Sequence, residues 1–430
     1  MDLVHYQSLE PQGAIIPSVQ FTNLQPDVMC DMYKHKIMEY GYLKASVTGI
    51  TATDDSWDQF YKEEKQKHHR CYKVDRLTAD VNVVSLSSTK KKWKRERGTV
   101  TIEEAIGHLE SICKGEADSY QVVYLIIEKP GTVRSLRHLH IESCFEKLKS
   151  AIHIAFEEQE WVDGVHTLYV FGGQKKTLFP LHDEDNKMES INVNMYGADK
   201  WWDVVIPKDS DKLRSACQGL KAELQLHTRE VLCEDFLQHK NILLTDAFFK
   251  KHGIRYHRVR QQAGTMMIIG PDTYHQGVNL GENIAIAVNF TSTVWLSSVY
   301  ESRRFLIDNQ CRCEGISAPF ADDKLRRIAN IHQLTLRHLT PYVNLQPSHY
   351  NDNADQRTGS SDDKKRTEEP KHSFTCPRCN RIFNKHGNVT RHLKNQHRQD
   401  PSQQFLCNNC NQSFSTKGNL TKHLKNNNCI

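Results

Sequence analysis

The chain has 430 residues, 38% of them hydrophobic and 25% charged, with a formal net charge of +5. That length accommodates two or three domains and that apolar share supports one sizeable core, which excludes a wholly disordered chain. No apolar run reaches the roughly 18 residues of a membrane span, and MDLVHYQSLEPQG lacks a secretory-signal pattern, so a soluble intracellular protein with no membrane partner is expected.

The distribution of charge says more than its total. Residues 373–430 hold nine Lys/Arg against the single acid Asp400, which puts a net +8 on the tail and leaves the rest of the chain slightly acidic. Such asymmetry is the electrostatic footprint of nucleic-acid binding by one module. Of thirteen cysteines, eight fall in metal-ligand spacings, leaving Cys30, Cys71, Cys113, Cys144 and Cys217, which fits a reducing compartment.

In chain order, residues 1–75 carry no motif of their own. Residues 76–100 contain the basic run KKKWKRER, Lys90 to Arg97, read as a solvated basic loop with a nuclear-import signal as the sharper alternative. Thr101-Ile-Glu-Glu104 is a capping box that opens a helix, and Gly115 supplies its end. SYQVVYLIIE reads as strand, and IESCFEKLKSAIHIAFEE has helical spacing. From Gly164 to Phe290 short apolar strands alternate with Gly/Pro turns, among them Gly270-Pro271-Asp272, which presents His275.

Within this region lies LFPLHDEDNKMESINVNMYGADKWW. In extended backbone, side chains two apart leave the same face, so His182 and Glu184 point together while Asp183 points away. His275, 91 residues beyond Glu184, supplies a third ligand from another strand. Two imidazoles and a carboxylate form a facial triad with open positions, which suits iron(II) that must bind a cosubstrate and oxygen together. Asn192 and Lys200 follow on the next strands, and Lys200 offers a charge-assisted bond to the far carboxylate of 2-oxoglutarate. A polar H-x-E pair on an ordinary strand is the alternative reading of the triplet alone.

Cys233 and His239 bracket five residues on an expected helix, and Cys311 and Cys313 lie in NQCRCEG beyond the last core strand. Three thiolates and one imidazole would complete a closed tetrahedral zinc shell with a structural role, although a C-x5-H and a distant C-x-C taken alone read as coincidence. From Pro341 to His372 the chain is polar and reads as a flexible linker. The last 58 residues carry two finger spacings. Cys376-x2-Cys379-x12-His392-x4-His397 has Phe383 and Val389 as its core, and Cys407-x2-Cys410-x12-His423-x5-Cys429 ends in cysteine. Counting back from the first ligand histidine, helix positions −1, 3 and 6 are Lys385, Asn388 and Arg391 in one finger and Thr416, Asn419 and Lys422 in the other. Asparagine pairs with adenine and arginine or lysine with guanine, so duplex DNA is the expected partner, with a protein-binding finger pair as the alternative.

The block GVHTLYVFGGQKKTLFPLHDED, SINVNMYGADKWW, CEDFLQHKN and QQAGTMMIIGPDTYHQGVNLGENIAIAVNF resembles the Jumonji-C demethylases, closest to the lysine-specific demethylase 4 group, over roughly residues 164–313. The resemblance implies a double-stranded β-helix of jelly-roll type spanning residues 101–315, a helical extension over 316–340, a linker over 341–372 and the two ββα fingers over 373–430. Residues 1–75 occupy the place of that family's Jumonji-N segment, as a diverged equivalent. It further implies iron(II) on His182, Glu184 and His275, 2-oxoglutarate on Tyr124, Phe179, Asn192 and Lys200, dioxygen as oxidant, and zinc on the cysteine-rich quartet. The family's methyl-ammonium pocket falls on Gly164, Tyr169, Phe171, Glu184 and Ala287, where Phe171 and Ala287 lack hydroxyls that the family carries.

The implied activity is demethylation of histone-tail lysine, lysine 9 of histone H3 ahead of lysine 36, with release of formaldehyde and succinate. A monomeric nuclear enzyme, targeted to chromatin by its fingers, is expected. Two rivals stand beside this expectation: a protein hydroxylase, and a non-enzymatic chromatin factor with a remnant core.

Overall fold

The computed structural model describes residues 7–9, 11–50, 53–64, 67–94, 98–127, 150–229, 232–304, 311, 313 and 319–343, together with the short strands of residues 374–375, 382–383, 405–406 and 413–414. The chain divides into two compact units, Met1–Pro347 and Ser348–Ile430.

The first unit is a double-stranded β-helix. One sheet has five strands in the order Gln7–Leu9, Tyr256–Gln261, Lys200–Val205, His275–Asn279, Leu178–His182. The other has seven, in the order Val19–Gln20, Tyr42–Thr48, Thr265–Ile269, Glu189–Gly197, Asn283–Phe290, Tyr169–Gly173, Leu125–Ile127. Their alternation explains the layering. Along Glu189–Gly197, Ile191, Val193 and Met195 face outward into a cluster with Ile37, Leu43 and Ile286. Ser190, Asn192 and Asn194 therefore face the interior, as period-two side chains must. Between the sheets lies a small apolar plug of Tyr42, Trp202, Val204, Val259, Met267 and Ile269, with Phe179 against it. The outer face of the five-stranded sheet is covered by two further clusters, one holding Leu213, Leu224, Phe236 and Phe249, the other Leu109, Ile112 and Trp201.

The expected helix over residues 102–114 is present with its capping box. Thr101 Oγ1 accepts from Glu104 N at 3.1 Å, Thr101 N donates to Glu104 Oε2 at 2.8 Å, and Gly115 ends the helix at φ +76°. Only glycine adopts that conformation without strain.

Two expectations about domain limits are corrected. Residues 76–100 are not a loop, because Val81–Lys92 is a strand paired with His68–Arg76 inside a four-stranded sheet with Ile242–Leu244 and Tyr120–Val123. The β-branched run before the lysines starts the strand, and the buried Trp93 anchors its far end. Within the stretch expected as a diverged Jumonji-N equivalent, Gln7–Leu9 adds to one barrel sheet and Tyr42–Thr48 pairs with Thr265–Ile269 in the other. The helical extension runs Asp322–Val343, entering the stretch expected as linker. Of the expected helix IESCFEKLKSAIHIAFEE, residues 141–149 lie outside the described residues and Ala151–Ala155 is helical.

In the second unit Phe374–Thr375 pairs with Ile382–Phe383, and Phe405–Leu406 with Ser413–Phe414. These are two antiparallel hairpins, one at the start of each finger spacing. No helix among the described residues is long and apolar enough to cross a membrane.

Candidate metal centre and ligand pocket

His182 closes the Leu178–His182 strand, His275 opens the His275–Asn279 strand, and the two are cross-strand partners. The next matched pair is Phe179 with Gly277, so three steps on one strand oppose two on the other. This one-residue bulge turns both Phe179 and His182 inward, where strict alternation would send them to opposite faces. Leu178 and Leu181 pack outward instead. Gly277 makes the arrangement possible: a Cβ there would lie 2.1 Å from the Phe179 ring and 2.0 Å from the Trp201 carbonyl oxygen.

Glu184 follows with extended backbone, φ −76° and ψ 155°, so its side chain leaves on the same side as His182. Asp183 points the other way and is buried, accepting from Lys187 Nζ at 2.9 Å, which also donates to Asp272 at 2.7 Å. The ligand atoms of His182, Glu184 and His275 all lie within 4.8 Å of one another. The two rings are 4.3 Å apart between centroids, and His275 Nε2 is 3.7 Å from Glu184 Oε1. The Nδ1 atoms face outward, 2.6 Å from Pro180 O and 3.1 Å from Thr273 O, so each ring donates from Nδ1 and aims its Nε2 lone pair at the centre.

Burial pushes both imidazoles below their ordinary range, so they are neutral near pH 7. Burial raises the Glu184 carboxyl, but the two imidazoles whenever they carry a proton, the charge of Lys240 and a hydrogen bond from Asn289 outweigh it and hold the group below the usual carboxylate range. Two neutral imidazoles and an ionised carboxylate are the protonation state that a divalent cation requires, and the donor set fits iron(II).

Beside this centre Lys200 is 1% exposed. Its Nζ donates to Asn279 Oδ1 at 2.7 Å and sits 5.4 Å from the Phe179 ring centroid. No ion pair joins it to a carboxylate among the described residues, and burial pushes its ammonium down to about 7. A buried cation in want of an anion is what a bound dicarboxylate would satisfy, since a nearby negative charge restores the ammonium. Tyr124 stands at the break between Tyr120–Val123 and Leu125–Ile127; burial raises its phenol, and the nearby Asn279 side chain offsets part of that rise. Asn192 lies on the interior face with its buried Oδ1 unsatisfied. Phe179 lies against Lys200, Tyr124 lies near the Asn279 that Lys200 bonds, and Asn192 faces the same barrel interior.

Tyr169, Phe171 and Ala287 line the adjoining surface. Ala287 is the register partner of both Asn192 and Tyr169 on the two strands that flank it. Tyr169 packs over Gly164, whose φ is +81° and where a Cβ would come within 1.8 Å of the ring. Tyr169 Oη donates to Asp163 O at 3.1 Å, and Phe171 stacks on Tyr124 with centroids 5.7 Å apart.

The second cluster also converges. Cys233, His239, Cys311 and Cys313 bring their ligand atoms within 4.8 Å of one another, with Cys233 Sγ 3.3 Å and Cys311 Sγ 3.5 Å from His239 Nε2. His239 ends the short 3-10 turn Phe236–His239 rather than a full helix turn. Without a cation burial raises the Cys233 and Cys311 thiols, the latter to about 12. Zinc ligation deprotonates such thiols, and the spacing suits a tetrahedral shell. The finger ligands Cys376, Cys379, His392, His397, Cys407, Cys410, His423 and Cys429, and the base-reading positions, lie outside the described residues.

A jelly-roll barrel with two imidazoles and a carboxylate at one end is the architecture of a metal-dependent oxygenase domain. Residues 169–290 match the family model described as "JmjC domain, hydroxylase", and residues 405–426 match "Zinc finger, C2H2 type". The chain thus carries a JmjC domain and a C2H2 finger; the first implies iron(II) and 2-oxoglutarate, the second zinc. Similar curated proteins include "Probable lysine-specific demethylase 4F" of Homo sapiens, 35% identical over 167 residues that make up 39% of this chain and 24% of that protein. "Lysine-specific demethylase 4D" of Rattus norvegicus is 34% identical over 39% of this chain and 31% of its own. "Lysine-specific demethylase 4B" of Mus musculus is 32% identical over 39% of this chain and 14% of its own. The chain therefore spans less than a third of the length of these relatives.

Two functional residues carry no signal in the linear sequence. Asn289 donates to Glu184 Oε2 at 3.0 Å and orients the carboxylate. Asn279 fixes Lys200 and is itself held by Asn283 at 3.0 Å and by Thr177 Oγ1 at 2.9 Å. What marks them is an amide on the inward face of an apolar strand, visible only once register is known.

The convergence of the quartet predicts that Cys311→Ser lowers the melting temperature and removes one zinc per chain from purified full-length protein, because structural zinc contributes to folding free energy. Elemental analysis beside a thermal melt checks this, and unchanged zinc content would remove the site.

Proposed function

We propose that the chain is an iron(II)- and 2-oxoglutarate-dependent oxygenase that demethylates lysine in histone tails, acting as a nuclear monomer directed to DNA by its fingers. The observation that carries this reading is the buried, carboxylate-free Lys200 beside the His182, Glu184 and His275 centre. A metal triad alone would serve many reactions, whereas a triad next to a lone buried cation selects a dicarboxylate cosubstrate.

Bound iron and 2-oxoglutarate would, with dioxygen as the oxidant, supply the chemistry that converts an N-methyl group to formaldehyde, with succinate and carbon dioxide as coproducts. The residues of the chain do the rest. His182 Nε2, His275 Nε2 and one Glu184 oxygen would hold the metal on one face, and Asn289 would keep the other Glu184 oxygen turned away from it. Lys200 would take the far carboxylate, with Phe179 packed on its flank and Tyr124, near the Asn279 side chain, closing the side. Tyr169 and Phe171 would offer aromatic faces to a methylated ammonium, an attraction of about 0.5–2 kcal/mol. Ala287 leaves room beside them, and its place resembles the branch of the family that favours lysine 9 of histone H3.

The alternative favoured by an observation is a protein hydroxylase, because Phe171 and Ala287 present no hydroxyl to a methylated nitrogen. Trimethyl-lysine histone peptides incubated with full-length protein, iron and 2-oxoglutarate separate the readings by mass. Loss of a methylene supports demethylation, gain of an oxygen supports hydroxylation, and an unchanged peptide with no succinate formed excludes both.

His182→Ala is expected to abolish succinate formation while the melting temperature stays near that of the parent, since the interior ligand carries little of the apolar packing. Continued succinate production by that variant would sink the metal assignment. Lys200→Ala is expected to raise the 2-oxoglutarate KM more than about a hundredfold, since removing one partner of a buried ion pair costs about 3–5 kcal/mol. An unchanged KM takes Lys200 out of the role.

For the tail, the spacing places Lys385, Asn388 and Arg391, and Thr416, Asn419 and Lys422, at base-reading positions, so each finger would favour a G-A-N triplet. Asn388→Ala is expected to relax the preference for adenine at the central position at a cost of about 1–3 kcal/mol, read by binding-site selection. Selection without an enriched motif would point to a protein-binding finger pair.

A further inference from the structure

The basic run read as a loop is the end of a β-ribbon, and that changes what it can bind. Lys90, Lys91 and Lys92 are in ladder register with Arg70, His69 and His68. Residues 67–74 and 86–94 together carry seven Lys/Arg and no Asp/Glu. Lys90, Lys91, Lys92, Lys94 and Arg70 are exposed, and Arg70 and Lys90 stand directly opposite each other. Like charges placed opposite one another on a sheet are destabilising. Among the described residues no carboxylate is paired with Lys90, Lys92 or Lys94.

The ribbon end is rigidly held. Trp93 is 2% exposed and meets Phe60, Tyr61 and His69 edge-on, with centroids 5.8, 5.9 and 6.3 Å away. His69 Nε2 lies 3.0 Å from Glu64 O, and Gln174 Nε2 donates to Lys94 O. Trp93 also lies against Gly172, where a Cβ would come within 2.8 Å of its ring, and Gly172 adjoins Phe171 of the ligand pocket. A two-residue excess on the Val81–Lys92 strand, between the Arg70–Lys90 and Tyr72–Leu86 pairs, bulges and re-aims the tip.

We propose that this ribbon end is a second DNA-binding surface, on the catalytic unit and independent of the fingers, which takes the phosphate backbone of duplex DNA without reading its sequence. An import signal requires extended backbone free to lie in a receptor groove, whereas residues 90–92 spend their hydrogen bonds on residues 68–70. Edge-strand lysines that only discourage aggregation are the plainer account. Four lysines in five residues, facing another cation across the ladder, exceed what that role needs. Lysine ammoniums carried on a ribbon whose backbone is held in register suit point contacts to successive phosphates.

The test uses the full-length chain with both fingers disabled by Cys376→Ser and Cys407→Ser, binding a fluorescein-labelled duplex of arbitrary sequence across a salt series. Lys90→Gln/Lys92→Gln/Lys94→Gln is expected to make the slope of log affinity against log salt shallower by about 2–3, close to one unit for each phosphate that the variant no longer neutralises. The Lys→Arg triple is expected to keep the parent slope, and all variants to keep the parent melting temperature and peptide turnover. An unchanged slope in the glutamine triple, or no DNA binding by the finger-disabled parent, overturns the proposal. So does lysine-dependent binding to phosphatidylserine vesicles without binding to DNA, or loss of nuclear import with DNA binding intact.

Discussion

The pairing of Leu178–His182 with His275–Asn279 is the constraint on which the rest of the site depends. It joins two histidines from distant parts of the chain as direct neighbours, and its bulge turns Phe179 inward with His182. Gly277 admits the Phe179 ring, the ring lies beneath Lys200, and Trp202 packs on its other side at 4.5 Å between centroids. The two histidines and the ring beside Lys200 are thus set by one strand pair, and a shift of one residue would move them together.

Around that pair the barrel inverts the usual rule of an apolar inside. Its large hydrophobic clusters lie on the outer faces of the two sheets, under helices, which leaves the space between the sheets free for Asn192, Lys200, His275 and Asn289. These polar groups are kept in place by one another. Glu189 shows the same economy: burial raises its carboxyl to about 8, and Ser292 satisfies it through both hydroxyl and backbone amide.

Much of this is legible in the sequence. His182, Glu184 and His275 can be read because extended backbone has a fixed period and iron a small ligand vocabulary, and the helix after Thr101 because its cap is local. Lys200 is legible as a cation at a suitable distance along the chain, although its lack of an acidic partner is not. Asn279 and Asn289 are invisible because their roles depend on which residue stands opposite. The strand through Lys90 reads as a loop because its lysines mask an alternation that Trp93 completes by packing against residues remote in sequence. That Gln7–Leu9 and Tyr42–Thr48 join the barrel sheets is hidden for the same reason, since their partners lie near the other end of the core.

That last feature has a consequence for synthesis. Tyr42–Thr48 pairs with Thr265–Ile269, and Lys44 bonds Arg260 O across 216 residues of chain. At about 5–20 residues per second a ribosome needs roughly 10–40 s to deliver the partner strand. Through that interval Ile37, Leu43, Ala45 and Val47, all buried in the finished barrel, have no sheet to cover them. The nascent chain therefore presents an apolar surface to holdase chaperones for longer than a protein of local contacts would, and its yield in a cell is governed by that wait as well as by the stability of the finished fold.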